Sequence, residues 1–481
     1  MDAVTGVLLG YLVVLAGLAI WSRRETKTLS GFFLAGKKLP FWVVAFSMNA
    51  TGESGWLLLG LTGMGYAVGA QAYWVVVGEI IGVWLAWTLV SRRMKRIGDV
   101  TDAITVPDVL AARFGDPRHL LRWIAVIIIV TMVAAYVTAQ MTATGKAFAN
   151  FIDIDYETAV ILGAAIIITY TFVGGFKAVA YTDAVQGALM LLGLIVVPTV
   201  AIGAAGGWGQ VSATLAADDP ALLDFWGFTG DGLPGWIALV SFLAIGLPFL
   251  GAPQLMSRFL AVRDESELGR ARTMSVIVIL LFDVGAVTAG MAGRALYPEL
   301  ADQEAIFPVL ARELFPAVIT GLLLVIVLSA IMSTVDSLLL LASSAVVRDT
   351  MQRILGSRQA DHGLARYGKI VTVVIGVIAV VFALEEPKLI FWFILFAWSG
   401  LGAAFGPVIL CMFYYRHTNA PGVAAGMLGG FLTSVVWVLA FKAGSYELYE
   451  MIPGMIVGLV LTVVVSRLTG RRAPPPAAPL P

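Results

Sequence analysis

The residues with chemistry to offer sit inside apolar stretches. Between Ser329 and Ser337, the positions Ala330, Ser333, Thr334 and Ser337 recur at i, i+3, i+4 and i+7 and share one helix face. Hydroxyl oxygens beside a small residue suit a hard monovalent cation, which takes oxygen ligands, although the same residue types also let two helices pack closely. A second concentration, Ser47-Met48-Asn49-Ala50-Thr51-Gly52-Glu53-Ser54-Gly55-Trp56, sets small, polar and acidic residues between two apolar halves. It reads as two half-helices with an unwound middle. Freed carbonyls there could hold a cation, while the N-terminal end of the second half, at Ser54, Gly55 and Trp56, could receive a solute carboxylate. Carboxylates also lie at membrane depth at Glu53, Glu79, Asp183, Asp283 and Asp336. Such groups are expensive in lipid unless paired, hydrated or bound to an ion, which makes each a functional candidate. Asp183, Asp336 and Glu53 stand among other polar residues, whereas Glu79 and Asp283 have no polar cluster in their own helices and read as structural. Enzyme chemistry is not indicated. His119, His362 and His417 all fall outside the apolar stretches, Cys411 is the sole thiol, and no nucleophile–base motif is present.

The elements that must position these groups follow from hydropathy. With 481 residues, 59% apolar and 13% charged, the chain has too little polar surface to dissolve and belongs in a lipid bilayer. Its net charge of zero and lack of a basic block exclude nucleic acid as a partner class. Apolar windows long enough to cross a ~30 Å hydrocarbon layer recur about thirteen times, which predicts an all-α polytopic membrane protein. Two spans are broken: the second, over 40–67, and the seventh, over 235–253, where Gly246-Leu247-Pro248-Phe249-Leu250-Gly251-Ala252-Pro253 interrupts any continuous helix. Their separation by five helices is that of a LeuT-like core of two inverted five-helix repeats. The expected organisation is a first helix and cytoplasmic loop (1–39), repeats over 40–204 and 205–413, two further helices (414–470) and a disordered Pro/Ala-rich tail (471–481). Lys and Arg gather on one side of the spans, which puts the N-terminus outside and the C-terminus in the cytoplasm. Segments between spans are too short for a soluble domain and hold at most short surface helices such as Val106–Phe114 and Glu304–Leu314. No obligate protein partner is indicated.

At these residues the chain resembles the sodium:solute symporter family, and within it the bacterial sodium/proline symporters. The resemblance rests on ordered blocks: Ser30-Gly31-Phe32-Phe33-Leu34-Ala35-Gly36, Ser54-Gly55-Trp56-Leu57-Leu58-Leu59-Gly60-Leu61, Thr105-Val106-Pro107-Asp108, Tyr170-Thr171-Phe172-Val173-Gly174-Gly175-Phe176, Thr182-Asp183-Ala184-Val185-Gln186, Met332-Ser333-Thr334 and Gly402-Ala403-Ala404-Phe405-Gly406-Pro407-Val408. It implies a sodium site made of the carbonyls of Ala50, Glu53 and Ala330 and the hydroxyls of Ser333 and Thr334, with Asp183 at an aspartate implicated in sodium coupling. It also implies a solute pocket lined by Ser54, Trp56 and Tyr136 and by residues of the seventh span. Three positions depart from the proline members: Gly52 replaces an aspartate, and Ile245 and Phe249 replace a tryptophan and a tyrosine. The implied activity is import of a small organic solute, proline or a related amino acid, across the cell inner membrane, with sodium as the co-transported ion. Proton coupling through Glu53, or a transporter-like membrane sensor, are the alternatives.

Overall fold

The structure, a computed structural model, describes residues 3–22, 28–152, 154–173, 175–357, 359, 361–385 and 390–470. The expected tail over 471–481 and residues 23–27, which include Arg23, Arg24 and Lys27, lie outside the described residues. Among the described residues, ten helical stretches are long and apolar enough to cross a membrane, and two shorter apolar helices, Ala3–Leu18 and Tyr156–Thr169, accompany them. One of the ten, Phe41–Val100, is a single 60-residue run that takes in both the second and the third expected spans. The chain turns between those two at Gly69, whose φ of 58° and ψ of −131° lie in a region open to glycine. Among the described residues there is no strand, only an isolated bridge between Leu39 and Val262. Helix is the expected outcome, since in hydrocarbon each backbone amide must find its partner within its own segment.

We label the main helices α1 (Ala3–Ser22), α2 (Phe41–Gly55), α3 (Tyr73–Leu85), α4 (Leu120–Ile152), α5 (Tyr156–Val173), α6 (Phe176–Ala204), α7 (Leu233–Leu243), α8 (Pro253–Ala261), α9 (Leu268–Leu296), α10 (Ala317–Ser344), α11 (Asp361–Glu385), α12 (Ile390–Tyr414), α13 (Ala420–Val436) and α14 (Met451–Thr469). At the centre, α2 packs against α6, α9 and α10. The first helix is tied to this core by Tyr11, whose hydroxyl oxygen accepts from Gln186 Nε2 of α6 (2.8 Å) and from the Ser329 hydroxyl of α10 (2.9 Å).

Both expected interruptions occur, with altered extents. In the second span the helix continues through Ala50 and Thr51, and only Ser54 leaves helical geometry (φ 58°, ψ −167°) before the chain resumes in wide turns over Trp56–Leu61. The unwound middle expected over 47–56 is therefore a one-residue break. The seventh span does not end at Pro253. It runs from α7 through a tight 3-10 segment (Ala244–Leu250), breaks at Gly251 and Ala252, and continues as α8 to Ala261. The 3-10 segment lies against α3 backbone to backbone. A Cβ on Gly82 would stand 2.0 Å from the Gly246 carbonyl, and one on Gly246 2.0 Å from that of Gly78. The Gly78/Gly82 spacing thus works as a small-xxx-small contact that any larger residue would force apart.

The short helix Val106–Phe114 is fixed by charge. Asp108 pairs with Arg122 at the start of α4 (2.8 Å) and with Arg348 (2.9 Å), and Arg122 also holds Asp349 (2.7 Å). The Thr105 hydroxyl donates to Asp349 (3.0 Å) and accepts the Asp108 amide as an N-cap (3.0 Å), so one loop joins α4 to the continuation of α10.

Candidate functional site

The hydroxyl pair of α10 meets the backbone of α2. The Ser333 hydroxyl donates to the Ala50 carbonyl (2.9 Å) and lies 3.0 Å from the Ala330 carbonyl. The Thr334 hydroxyl donates to the Thr51 carbonyl (3.0 Å), with the carbonyls of Ala330 and Ala50 at 3.4 and 3.5 Å. Five oxygens from two helices therefore converge in a buried place, and turning the two hydroxyl lone pairs inward makes a nest for a hard cation. Four of the residues expected there are brought together: Ala50, Ala330, Ser333 and Thr334. Thr51, not singled out from the sequence, joins them through its carbonyl. Glu53 is placed differently. Its carbonyl accepts the Trp56 amide at the helix break, and no hydrogen bond links it to Ser333 or Thr334.

Asp183, expected among the sodium ligands, has no hydrogen bond to the Ser333 or Thr334 hydroxyl among the described residues; its partners are Ser47, Thr51 and Arg258. It is fully buried and paired with Arg258 of α8 (3.1 Å), itself 1% exposed. The guanidinium also donates to Thr51 Oγ1 (2.9 Å), Ser47 Oγ (3.2 Å), the Ser337 hydroxyl and the Gln254 carbonyl (2.7 Å), and stands over the Phe176 ring at 5.0 Å. Ser47 in turn donates to Asp183 (2.7 Å). Arg258 thereby fastens α2, α6, α8 and α10 together one turn from the oxygen nest. Hydropathy places Arg258 in a loop, because it reads the seventh span as ending at Pro253; the signal available in the sequence was a charged residue within two turns of a proline break.

At the Ser54 break the freed amides already have partners. The Gly55 N–H donates to Gln140 Oε1 (3.2 Å) and the Trp56 N–H to Ser54 Oγ (3.1 Å). A carboxylate brought to this helix start would compete with those two oxygens. Tyr136, Ile245 and Phe249 come together around Trp398 of α12. The Trp398 indole donates to the Ile245 carbonyl (3.0 Å) and stands edge-on to Phe249 (5.2 Å) and Tyr136 (6.5 Å). Trp56 faces elsewhere, stacked on Phe391 at 5.6 Å, with its indole N–H buried and unpartnered among the described residues. Phe391 is positioned by Glu304, which accepts the amides of Ile390 (3.0 Å) and Phe391 (2.9 Å) and pairs with Lys146 (2.7 Å). Gln140 and Trp398 were not foreseen. Gln140 lies one turn beyond Tyr136 on the same face of α4, a legible cue, whereas Trp398 joins the group only through tertiary packing.

The acidic residues also regroup. Glu79 of α3 and Asp283 of α9, read as structural, converge on Glu53, with one carboxylate oxygen of each within 4.8 Å of the others. Both oxygens of Glu53 and of Asp283, and Oε2 of Glu79, are buried without a hydrogen-bond partner among the described residues. Asp336 instead accepts the Thr171 hydroxyl of α5.

The model of the sodium:solute symporter family matches residues 32–430. Similar curated proteins are the high-affinity proline transporter PutP of Bacillus subtilis, 35% identical over 94% of this chain and 95% of that protein, and the sodium/proline symporter of Escherichia coli, 34% identical over 95% and 91%. Among solved structures, a Na+-coupled sialic acid symporter in a substrate-bound outward-open state covers 99% of both chains at 20% identity and a TM-score of 0.81. Mhp1, a nucleobase-cation-symport-1 family transporter, aligns over 92% of this chain and 95% of its own at 13% identity and a TM-score of 0.58. These two likenesses are of fold, and the fold is the LeuT-like one expected from the two broken spans.

Proposed function

Because this chain belongs to the sodium:solute symporter family, we propose that it is a sodium-driven symporter that imports proline or a related small amino acid by alternating access. It is an integral protein of the cell membrane and a transporter, not an enzyme. The observation that carries the ion assignment is the meeting of the Ser333 and Thr334 hydroxyls with the carbonyls of Ala50, Thr51 and Ala330. Sodium bound there draws α2 and α10 together and fixes the segment that leads into the Ser54 break. The solute then lies between that break, Tyr136 and Gln140 of α4, and Phe249, with its carboxylate at the amides of Gly55 and Trp56. The pair Ile245 and Phe249 gives this pocket an apolar wall, which suits a ring or short aliphatic side chain.

Basic segments facing the cytoplasm put the N-terminus outside and the C-terminus inside. On that orientation the Arg258–Asp183 pair closes the inner path, and a small recess of about 30 Å³ lined by Ser257, Ser337, Phe176 and Thr105 leads away from it. The Glu304–Lys146 pair and the Trp56–Phe391 stack close the outer side. Inward opening separates α10 from α2 and lets sodium pass Thr51 and Asp183, favoured by a negative-inside potential worth about 2.3 kcal/mol per charge per 100 mV.

The decisive experiment is uptake of labelled proline into proteoliposomes under an inward sodium gradient. Uptake that requires sodium, and that loses sodium activation in Ser333→Ala/Thr334→Ala, is the expected result. Equal uptake with potassium or choline, or uptake driven by a pH gradient alone, would overturn sodium coupling. Binding without net flux would assign a sensor.

A further inference from the structure

Where α3 leaves the membrane region it continues through Ala86–Val90 into the basic helix Ser91–Val100, and α9 begins beside it at Leu268. Between them is an open recess of about 420 Å³, lined by Arg92, Arg93, Arg96 and Arg272 together with Trp87 and Thr88. Its charge is not balanced. Arg92 and Arg96 share one carboxylate, Glu265 (3.1 and 2.7 Å), while Arg93 donates to the Tyr414 hydroxyl (2.6 Å) and Arg272 to that of Thr88 (3.4 Å). Four guanidinium groups thus face one paired carboxylate among the described residues. Trp87 is 3% exposed, yet its indole N–H is buried without a hydrogen-bond partner among the described residues. The first turn of α9 also lines the recess and adds the positive end of a 29-residue helix.

The surface that continues from this recess along the membrane is apolar. On α3, Val77, Ile81 and Trp84 are exposed, and Thr88 follows Trp84 on the same helix face. On α9, Leu280 and Val284 are exposed, and Leu280 lies three turns beyond Gly269, which lines the recess, on the same helix face. The two helices pack against each other, so a donor-lined recess opens onto a pair of lipid-facing stripes.

We propose that this recess binds the phosphate headgroup of an anionic phospholipid, with its acyl chains lying along the Val77–Trp84 and Leu280–Val284 stripes. Guanidinium forks match phosphate oxygens, and basic pockets between helices at the membrane surface suit such headgroups. The test uses the full chain in detergent, titrated with dioleoylphosphatidylglycerol, dioleoylphosphatidylcholine or inorganic phosphate, with bound lipid read by native mass spectrometry. Phosphatidylglycerol binds in preference to phosphatidylcholine, and Arg93→Gln and Arg272→Gln each weaken it about fivefold, the effect of one arginine at a membrane surface. If either variant fails to fold, Trp87→Phe keeps an aromatic side chain, removes the indole donor and still weakens binding. Equal retention of the two lipids, or unchanged phosphatidylglycerol binding in all three variants, overturns the proposal. Displacement of phosphatidylglycerol by an equal concentration of inorganic phosphate assigns the recess to a soluble anion and overturns it as well.

Discussion

The ring of Phe249 lies directly on Gly52: a Cβ on residue 52 would stand 2.9 Å from both Cε1 and Cζ of that ring. Two of the positions singled out from the sequence are therefore in direct contact. The space beside Gly52 on α2 is filled by an aromatic ring from the seventh span, which is itself held edge-on by Trp398.

A side chain at position 52 cannot be added without moving that ring, and overpacking a filled site costs about 1–3 kcal/mol. Gly52→Ala lowers thermal stability by that order and reduces uptake. In the Gly52→Ala/Phe249→Leu double variant much of both returns, because the smaller side chain vacates the space. Thermal unfolding in detergent and proteoliposome uptake measure the two effects; a Gly52→Ala protein as stable as wild type would show that the ring yields freely.

Arg258 and Asp183 are each buried and each the other's counter-charge. Removing one strands the other, which costs about 3–5 kcal/mol, whereas removing both leaves no buried charge. Arg258→Met and Asp183→Asn are each strongly destabilised, and the double variant is more stable than either. A double-mutant cycle on thermal unfolding checks the sign. Uptake by the stable double variant then reads the gating role separately: with the inner lock gone, sodium leaks without solute.

Much of this site was legible from residue types in their own helices. The Ser333/Thr334 pair follows from spacing on one face, and both broken spans from runs of small residues and prolines. What local pattern could not show are the groups that exist only across helices. Arg258 looks like a loop cation until Asp183, 75 residues away, is set beside it. Glu79 and Asp283 look isolated because their polar neighbours are each other and Glu53, on three different helices. The break at Ser54 was over-extended for a related reason: Thr51, Ala50 and Ser47 are polar or small because α6, α8 and α10 contact them, not because the helix unwinds there.

The acidic triad itself makes a prediction opposite to that for Arg258. No salt bridge reaches Glu53, Glu79 or Asp283 among the described residues, and an unsatisfied buried polar group costs about 1–3 kcal/mol. Glu79→Gln and Asp283→Asn therefore stabilise the protein, each by an amount of that order, and their effects fall short of additivity because the groups touch. Denaturation midpoints of the single and double variants test this; destabilisation by both single changes would mean that the carboxylates are satisfied in a way the geometry does not contain.

Acid pH also acts on the knot around Asp108. Burial pushes its carboxyl up, but the guanidinium groups of Arg348 and Arg122 outweigh burial and hold it below the ordinary carboxylate range. A carboxyl held low in the folded protein contributes stability that is complete above its unfolded pKa, about 3.9, and is lost as pH falls through the folded value. From about pH 5 downward the wild type therefore loses stability that Asp108→Asn has already forfeited, so the two unfolding curves converge in acid and separate towards neutral pH. Thermal unfolding from neutral to acid pH follows the convergence. A constant gap between wild type and Asp108→Asn over that whole range would mean that the ion pairs to Arg122 and Arg348 contribute nothing to holding Val106–Phe114 against α4.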